Sequence, residues 1–256
     1  MITSTSNPRV KELQRLRKRR ERDATGTFLV EGARELERAV AAGVEVVQVV
    51  RCGDGAVPGG VPVLDVAENV WRALALREDT ERVLGVARAF PTGLDRLDLP
   101  ADPLVLVAAG IEKPGNLGAM LRTAAAAGVA AVIVADPVVD LFNPNVVRAS
   151  VGALFATPVA AAPAGEVVAF LRERGVRVFA TTPEGAAVAH FEAPLAAGAA
   201  VVVGPEDTGL PPAWLDAADE RIVVPMPGGA GVDSLNAAST AAVVLFEAVR
   251  QRSGPK

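Results

Sequence analysis

Leu104-Val-Leu-Val-Ala-Ala-Gly110-Ile-Glu-Lys-Pro-Gly-Asn116-Leu-Gly118-Ala-Met-Leu-Arg122-Thr-Ala124-Ala-Ala-Ala-Gly128, followed by Ala131-Val-Ile-Val-Ala135, is the stretch that decides the fold class. An apolar, β-branched run leads into a turn bearing glycine and proline. An alanine-rich helical pattern then follows, and a second apolar run closes the unit. Strands that are apolar on both faces and alternate with helices predict a parallel sheet covered on both sides. Similar runs recur at Arg177–Ala180, Ala200–Val203 and Arg221–Val224, so an α/β domain is expected over 103–256. Ligands of such sheets sit at the carboxyl ends of the strands, which directs attention to the loops that follow them.

Upstream, residues 1–95 read as a smaller αβ domain. Helices are expected at Pro8–Arg22, Ala33–Ala42 and Ala67–Leu76, and strands at Phe28–Val30, Val44–Val50, Val61–Leu64 and Val83–Ala89. Pro91–Pro103, with three prolines, is the linker candidate. Charge is unevenly distributed. The segment Arg9–Arg22 carries eight cations (Arg9, Lys11, Arg15, Arg17, Lys18, Arg19, Arg20, Arg22) against Glu12 and Glu21, so it is +6, while the whole chain is −4. Such a run reads either as a solvated helix face or as a phosphate-binding surface, and charge alone leaves both open.

Composition removes several function classes. Half of the 256 residues are hydrophobic and 22% are charged, which suits packed cores rather than disorder. No apolar run is long enough to cross a bilayer and the N-terminus is charged, so a cytoplasmic protein is expected, with no membrane partner. The single cysteine, Cys52, excludes an internal disulfide and a Cys-rich zinc site, and it reads as a buried structural thiol. The single histidine, His190, has no acidic or cysteine cluster nearby in sequence, so no metal is expected and every His-based relay would have to run through it. The chemistry must come from other groups or from a cofactor.

Three loops can carry it. The first, Gly110 to Ala124, is a strand, a glycine-bearing turn and a helix, and it matches neither a Walker loop nor a dinucleotide fingerprint. Its Arg122 is the group there able to grip a phosphate bidentately, although a surface arginine on a core helix is the plainer reading of this loop alone. The second is Gly204-Pro-Glu206-Asp-Thr-Gly209-Leu-Pro-Pro. Glu206 is placed to accept from backbone N–H groups or from Asn116, and the two prolines open a helix. The third, Pro225 to Ala242, is a glycine-rich loop running into a helix, with Ser234 suited to the N-cap and Asn236 in the first turn. That helix is apolar on nearly all sides from Leu235 to Val249, which predicts either a subunit interface or a central core position.

Together the loops resemble the SpoU–TrmH branch of the SPOUT RNA methyltransferases. The first motif of that family is similar to Asn116-Leu-Gly118-Ala-Met-Leu-Arg122-Thr-Ala124, the second to Gly204-Pro-Glu206-Asp-Thr-Gly209-Leu, and the third to Val224-Pro-Met226 with Ser234-Leu-Asn236. Arg148-Ala-Ser150-Val-Gly152-Ala-Leu-Phe looks like the family's intermediate helix. The glycine-rich loop Pro227–Val232 departs from the pattern. Upstream, Asn7-Pro8, Lys11 and Phe28-Leu-Val-Glu31-Gly32 resemble a ribosomal-protein-like substrate domain.

The resemblance implies a C-terminal α/β knot, that is, a trefoil-knotted, mostly parallel sheet, preceded by the small RNA-binding domain. It also implies a homodimer and S-adenosylmethionine as cofactor, held around Thr181, Thr182, Gly204, Gly209, Val224, Met226 and Leu235. The implied reaction is methylation of a ribose 2′-hydroxyl, with 23S ribosomal RNA favoured over transfer RNA by analogy with the appended domain. Asn116, Arg122, Glu206, Ser234 and Asn236 are then the catalytic set, and Arg9, Lys11, Arg17, Lys18, Arg19 and Arg20 the RNA contacts. A guanidinium stays protonated, so Arg122 reads as a phosphate clamp rather than a base. Its charge would lower the pKa of the ribose hydroxyl, which Asn116 and Ser234 would orient, with Glu206 and Asn236 supporting the loops. Two other classes are a non-catalytic RNA-binding dimer and a nucleotide-dependent oxidoreductase, the latter lacking its pyrophosphate loop.

Overall fold

The computed structural model describes residues 1–76, 81–183, 187–228 and 234–254. In chain order they form α1 (Pro8–Arg15), α2 (Arg19–Thr25), β1 (Thr27–Glu31), α3 (Ala33–Ala41), β2 (Val46–Arg51), β3 (Val63–Asp65), α4 (Glu68–Leu74), β4 (Val83–Arg88), β5 (Leu104–Ala109), α5 (Pro114–Ala127), β6 (Ala131–Ala135), α6 (Pro144–Ser150), α7 (Ala153–Ala156), β7 (Val159–Ala162), α8 (Ala164–Glu173), β8 (Arg177–Thr181), β9 (Val188–Ala189), β10 (Ala199–Val203), α9 (Pro212–Ala217), β11 (Glu220–Val223) and α10 (Ala237–Arg252). They fall into two compact units. One comprises Met1–Pro91 with Asp140–Ala156, the other Thr92–Val139 with Thr157–Lys256.

The first unit is a four-stranded sheet in the order β1-β4-β2-β3, antiparallel except for the β2–β3 pair. Period-two alternation sends neighbouring residues of β1 to opposite faces. Leu29 joins a core with Val10, Leu13 and Leu16 from the N-terminal helices and Trp71 and Leu74 from α4. Phe28 packs instead against Phe142 and Phe155, with ring centroids 4.8 and 6.2 Å away. Those partners lie in Asp140–Ala156, a segment that the sequence assigns to the second domain. The sequence reading divides the chain once, near residues 95–103, whereas here it passes between units three times. Two aromatic rings whose apolar partner is Phe28 give the physical reason.

The expected helix Pro8–Arg22 is two helices. Asn7 caps α1 by accepting from the Arg9 N–H, with Pro8 in the first turn. The chain then tightens into three-residue turns, with Leu16, Arg17 and Lys18 N–H groups donating to Leu13, Gln14 and Arg15 carbonyls. Two cations of the basic run satisfy backbone carbonyls. Arg22 is buried and donates to the Leu16 and Arg17 carbonyls, both at 2.9 Å. Arg17 donates to the carbonyls of Ala73, Leu74 and Ala75 at 3.2, 2.9 and 3.1 Å, closing the end of α4. Continuing one helix through 16–18 would stack like charges three and four residues apart and forfeit these bonds.

The second unit is a seven-stranded sheet in the order β7-β6-β5-β10-β8-β11-β9, parallel at every pairing. Strands β7 and β9 add to the five read from sequence. One face of the sheet, including Val105, Val107, Ile133, Val178 and Val202, packs on Phe170 and Leu171 of α8 and Trp214 of α9. Helices α5 and α10 lie against each other and against β5 and β10. The end of α10 is fixed by Arg252, which donates to the carbonyls of Leu195, Asp102, Pro103 and Ala197.

Arg22 also forms a fork to Asp140, with Nη2–Oδ2 at 2.5 Å and Nε–Oδ1 at 3.3 Å, and the two side chains are 3% and 16% exposed. Removing one partner of a buried pair strands the other charge. Asp140→Ala is therefore expected to lower unfolding free energy by about 3 kcal/mol in urea denaturation. Asp23→Ala, which breaks the exposed pair to Arg19, should cost at most about 0.5 kcal/mol.

Candidate active site

Three loops leave the carboxyl ends of β5, β10 and β11, and one carboxylate joins them. Glu206, in the loop after β10, accepts through Oε1 from Asn116 Nδ2 (2.7 Å), Asn236 Nδ2 (2.5 Å) and the Ala237 N–H (3.1 Å). Its Oε2 accepts from Lys113 Nζ at 2.5 Å. Asn236 Nδ2 also donates to Asn116 Oδ1 at 3.1 Å. Lys113 and Asn116 belong to the start of α5, Asn236 and Ala237 to the start of α10. The Lys113 hydrogen bond, followed by the Ala237 N–H, holds the Glu206 carboxyl below the usual glutamate range against an opposing effect of burial.

Asn236, rather than the expected Ser234, is the N-cap of α10, since its Oδ1 accepts from the Ala238 N–H at 2.9 Å. An asparagine can cap with its oxygen while its amide still donates elsewhere, which a serine hydroxyl does less well. Residues 229–233, within the glycine-rich loop, lie outside the described residues.

Beside the carboxylate lies a cleft of about 450 Å³. Thr181, Thr182, Gly204, Gly209, Val224, Met226 and Leu235 all line it, together with Glu206 and Ser234. Leu210, Leu215 and Ile222 add apolar wall. Asn116 and Asn236 stand behind Glu206, outside the lining. Arg122 lies six residues along α5 from Asn116, roughly 9 Å by helical rise. It is exposed, is not part of the lining, and has no hydrogen-bond or ion-pair partner among the described residues. His190 does not line the cleft. Lys113 was missed by the sequence reading, because its partner lies 93 residues away and only the fold reveals the pair.

The loop after β10 curls back on itself, with the Gly209 N–H donating to the Pro205 carbonyl at 3.1 Å. Gly209 is left-handed, with φ +65. A Cβ on Gly204 would sit 2.9 Å from Leu210 Cδ2 and 3.0 Å from the Gly209 carbonyl carbon.

The sequence pattern of the SpoU rRNA Methylase family matches residues 103–246. The chain belongs to that family. A second pattern, the MRM3-like substrate binding domain, matches residues 7–85. The chain is 30% identical over 249 residues to the 23S rRNA (guanosine(2553)-2'-O)-methyltransferase RlmP of Bacillus subtilis (strain 168), a match spanning 96% of this chain and 97% of that protein. Among solved structures it is similar to an RNA 2'-O ribose methyltransferase, with TM-score 0.86, 43% identity and 98% of each chain covered. It is also similar to the SpoU methyltransferase AviRb from Streptomyces viridochromogenes in complex with the cofactor AdoMet, with TM-score 0.89, 29% identity, and 98% of this chain and 100% of that one covered.

Gly204→Ala should destabilise this SpoU-family chain by about 1–3 kcal/mol in chemical denaturation, because the added methyl meets backbone. Gly115→Ala, at a helical glycine with open space around its Cβ position, should be neutral or stabilising.

Proposed function

We propose that this chain methylates a ribose 2′-hydroxyl of 23S ribosomal RNA with S-adenosylmethionine as donor. The observation that carries this reading is the cleft, walled by the carboxyl-end loops of a parallel sheet and lined by the residues of the second and third family motifs. Its volume lies in the range of small-molecule sites. Its chemistry fits the cofactor as well. Leu210, Leu215, Ile222, Met226 and Leu235 offer apolar surface for an aromatic base, and the loop backbones offer the N–H and carbonyl groups that orient a polar ligand. The names of the relatives, RlmP and AviRb among them, support the reaction and its RNA.

When bound, the cofactor supplies an electrophilic methyl carried on a sulfonium. The chain must hold the ribose oxygen in line with it, and alignment alone is worth several kcal/mol of barrier. Asn116 and Asn236 are committed to Glu206, so they act by fixing the loops, and Ser234, which is exposed and lines the cleft, orients the ribose hydroxyl in this reading. Glu206 already accepts four bonds and is no general base. Arg122 remains charged, clamps a phosphate next to the target ribose, and lowers the hydroxyl pKa through its field. Water or phosphate then takes the proton.

We read the apolar helix α10 as the face of a homodimer, since Val243 and Phe246 are 37% and 49% exposed on it. RNA docks on the first unit, whose exposed cations Arg9, Lys11, Lys18, Arg19 and Arg20 face solvent, while Arg17 is taken by the end of α4. Among the described residues no helix is long and apolar enough to cross a membrane. The enzyme works in the cytoplasm, with its RNA. The trefoil crossing implied by the family resemblance belongs to the same reading.

A 2′-O-methyl group blocks alkaline cleavage at its own phosphodiester. Ladders of ribosomal RNA from cells with and without the gene should therefore differ by one band, and identical ladders would sink the reaction. Arg122→Ala should abolish methyl transfer while keeping S-adenosylmethionine binding, and turnover near that of the parent enzyme would refute the clamp. Changing Lys11, Lys18 and Arg20 together to glutamine should reduce the slope of log affinity against log salt by about 0.7–0.9 per lost contact. Arg17→Gln should leave that slope unchanged and lower stability.

A further inference from the structure

The Glu206 carboxylate divides its partners unequally. Oε1 takes three donors from two helix starts, whereas Lys113 is the partner of Oε2 among the described residues. A carboxylate that is 14% exposed and accepts three bonds on one oxygen is held in its charged form, and an unmet second oxygen would carry much of that charge. Lys113 stands at the N-cap position of α5, directly before Pro114, and its side chain makes no cap bond there. The proline fixes the backbone that follows it, so the ammonium reaches Glu206 from a defined starting point. Lys113 lies outside the cleft lining, while Glu206 and Ala237 lie within it.

We propose that Lys113 is a positioning residue of the methyl-donor pocket, acting through Glu206 to hold the loops after β5, β10 and β11 in their cofactor-binding arrangement. The inference rests on the reading of the cleft as the S-adenosylmethionine site. Lys113 itself touches no reacting atom. Its ammonium is held protonated by Glu206, with Asp207 and Glu112 adding to the effect, so it does not serve as a base. The groups facing the carboxylate are Lys113 and Asn116 from α5, Asn236 and the Ala237 N–H from α10, with the Asp207 charge beside it.

The folded-state pKa of Glu206 is depressed, so the tie is fully present above the ordinary glutamate value and is lost as pH falls through the lowered one. Without Lys113 that loss occurs at higher pH.

The test compares Lys113→Met and Lys113→Arg with the parent protein in two measurements. Calorimetry with S-adenosylmethionine between pH 4 and 8 should show about fivefold weaker binding for Lys113→Met at neutral pH, as expected for a largely exposed ion pair, with its acid limb moved upward. The KM for cofactor should rise by more than kcat falls, and Lys113→Arg should restore most of the affinity. In the ligand-free protein, the Ala237 amide should exchange its hydrogen faster in Lys113→Met than in the parent. Unchanged Ala237 exchange with unchanged affinity across the pH range would overturn the proposal, as would equal impairment of the Met and Arg variants. A parent protein that binds no S-adenosylmethionine would instead sink the reading of the cleft, and Ala237 exchange would still decide whether Lys113 controls the loops.

Discussion

A single carboxylate carries the geometry of the site. Glu206 sits where the loop after β10 meets the starts of α5 and α10, and it is bonded to both. Parallel strands deliver their carboxyl ends to one edge of the sheet, but nothing in that arrangement makes the loops beyond them converge. The bonds to Glu206 do so, and they hold it charged where a neutral side chain would bind the same donors more weakly. The cleft is the space left beside that knot of polar contacts, and Gly204 keeps it open by letting the loop turn back on Leu210.

The division of labour follows from what these residues are able to do. Asn116, Asn236 and Lys113 donate to Glu206, which ties the loop after β10 to the starts of α5 and α10, the kind of support that preorganises a pocket. The lining, by contrast, combines aliphatic residues such as Leu210, Leu215 and Ile222 with several threonines, which suits a cofactor that brings its own reactive group. A methyl transferred from a sulfonium needs alignment and a stabilised oxygen nucleophile more than it needs a strong base. Arg122, the one cation on α5, is exposed and lies outside the cleft lining, and the proposed phosphate clamp asks it only for positive charge, not for proton transfer.

Much of this was legible in the sequence. Apolar runs marked five of the seven strands of the larger sheet, and the seven residues that the family resemblance offers to the cofactor share one cleft, where their contact with it is a proposal. The rest depended on distant partners. Strand β7 is Val159-Ala-Ala-Ala162, whose alanines have little strand propensity, and β9 has only two residues; their pairing in the sheet, rather than local preference, makes them strands. The basic run looked uniform, yet Arg17 and Arg22 are absorbed by carbonyls and by Asp140, contacts invisible without the fold. Asp140–Ala156 looked like part of the catalytic half because of its place in the chain. Packing assigns it to the first unit through Phe142 and Phe155. Lys113 illustrates the same limit, since an exposed lysine before a proline has no local signature of a structural role.

The most direct measurement of the central claim is a crystal structure of the protein grown with saturating S-adenosylmethionine. The account requires cofactor density in the cleft against Gly204, Met226 and Leu235, with the Glu206 contacts to Lys113, Asn116 and Asn236 intact. Density at another place on the molecule, or a filled cleft in which Glu206 has released those three partners, would contradict it.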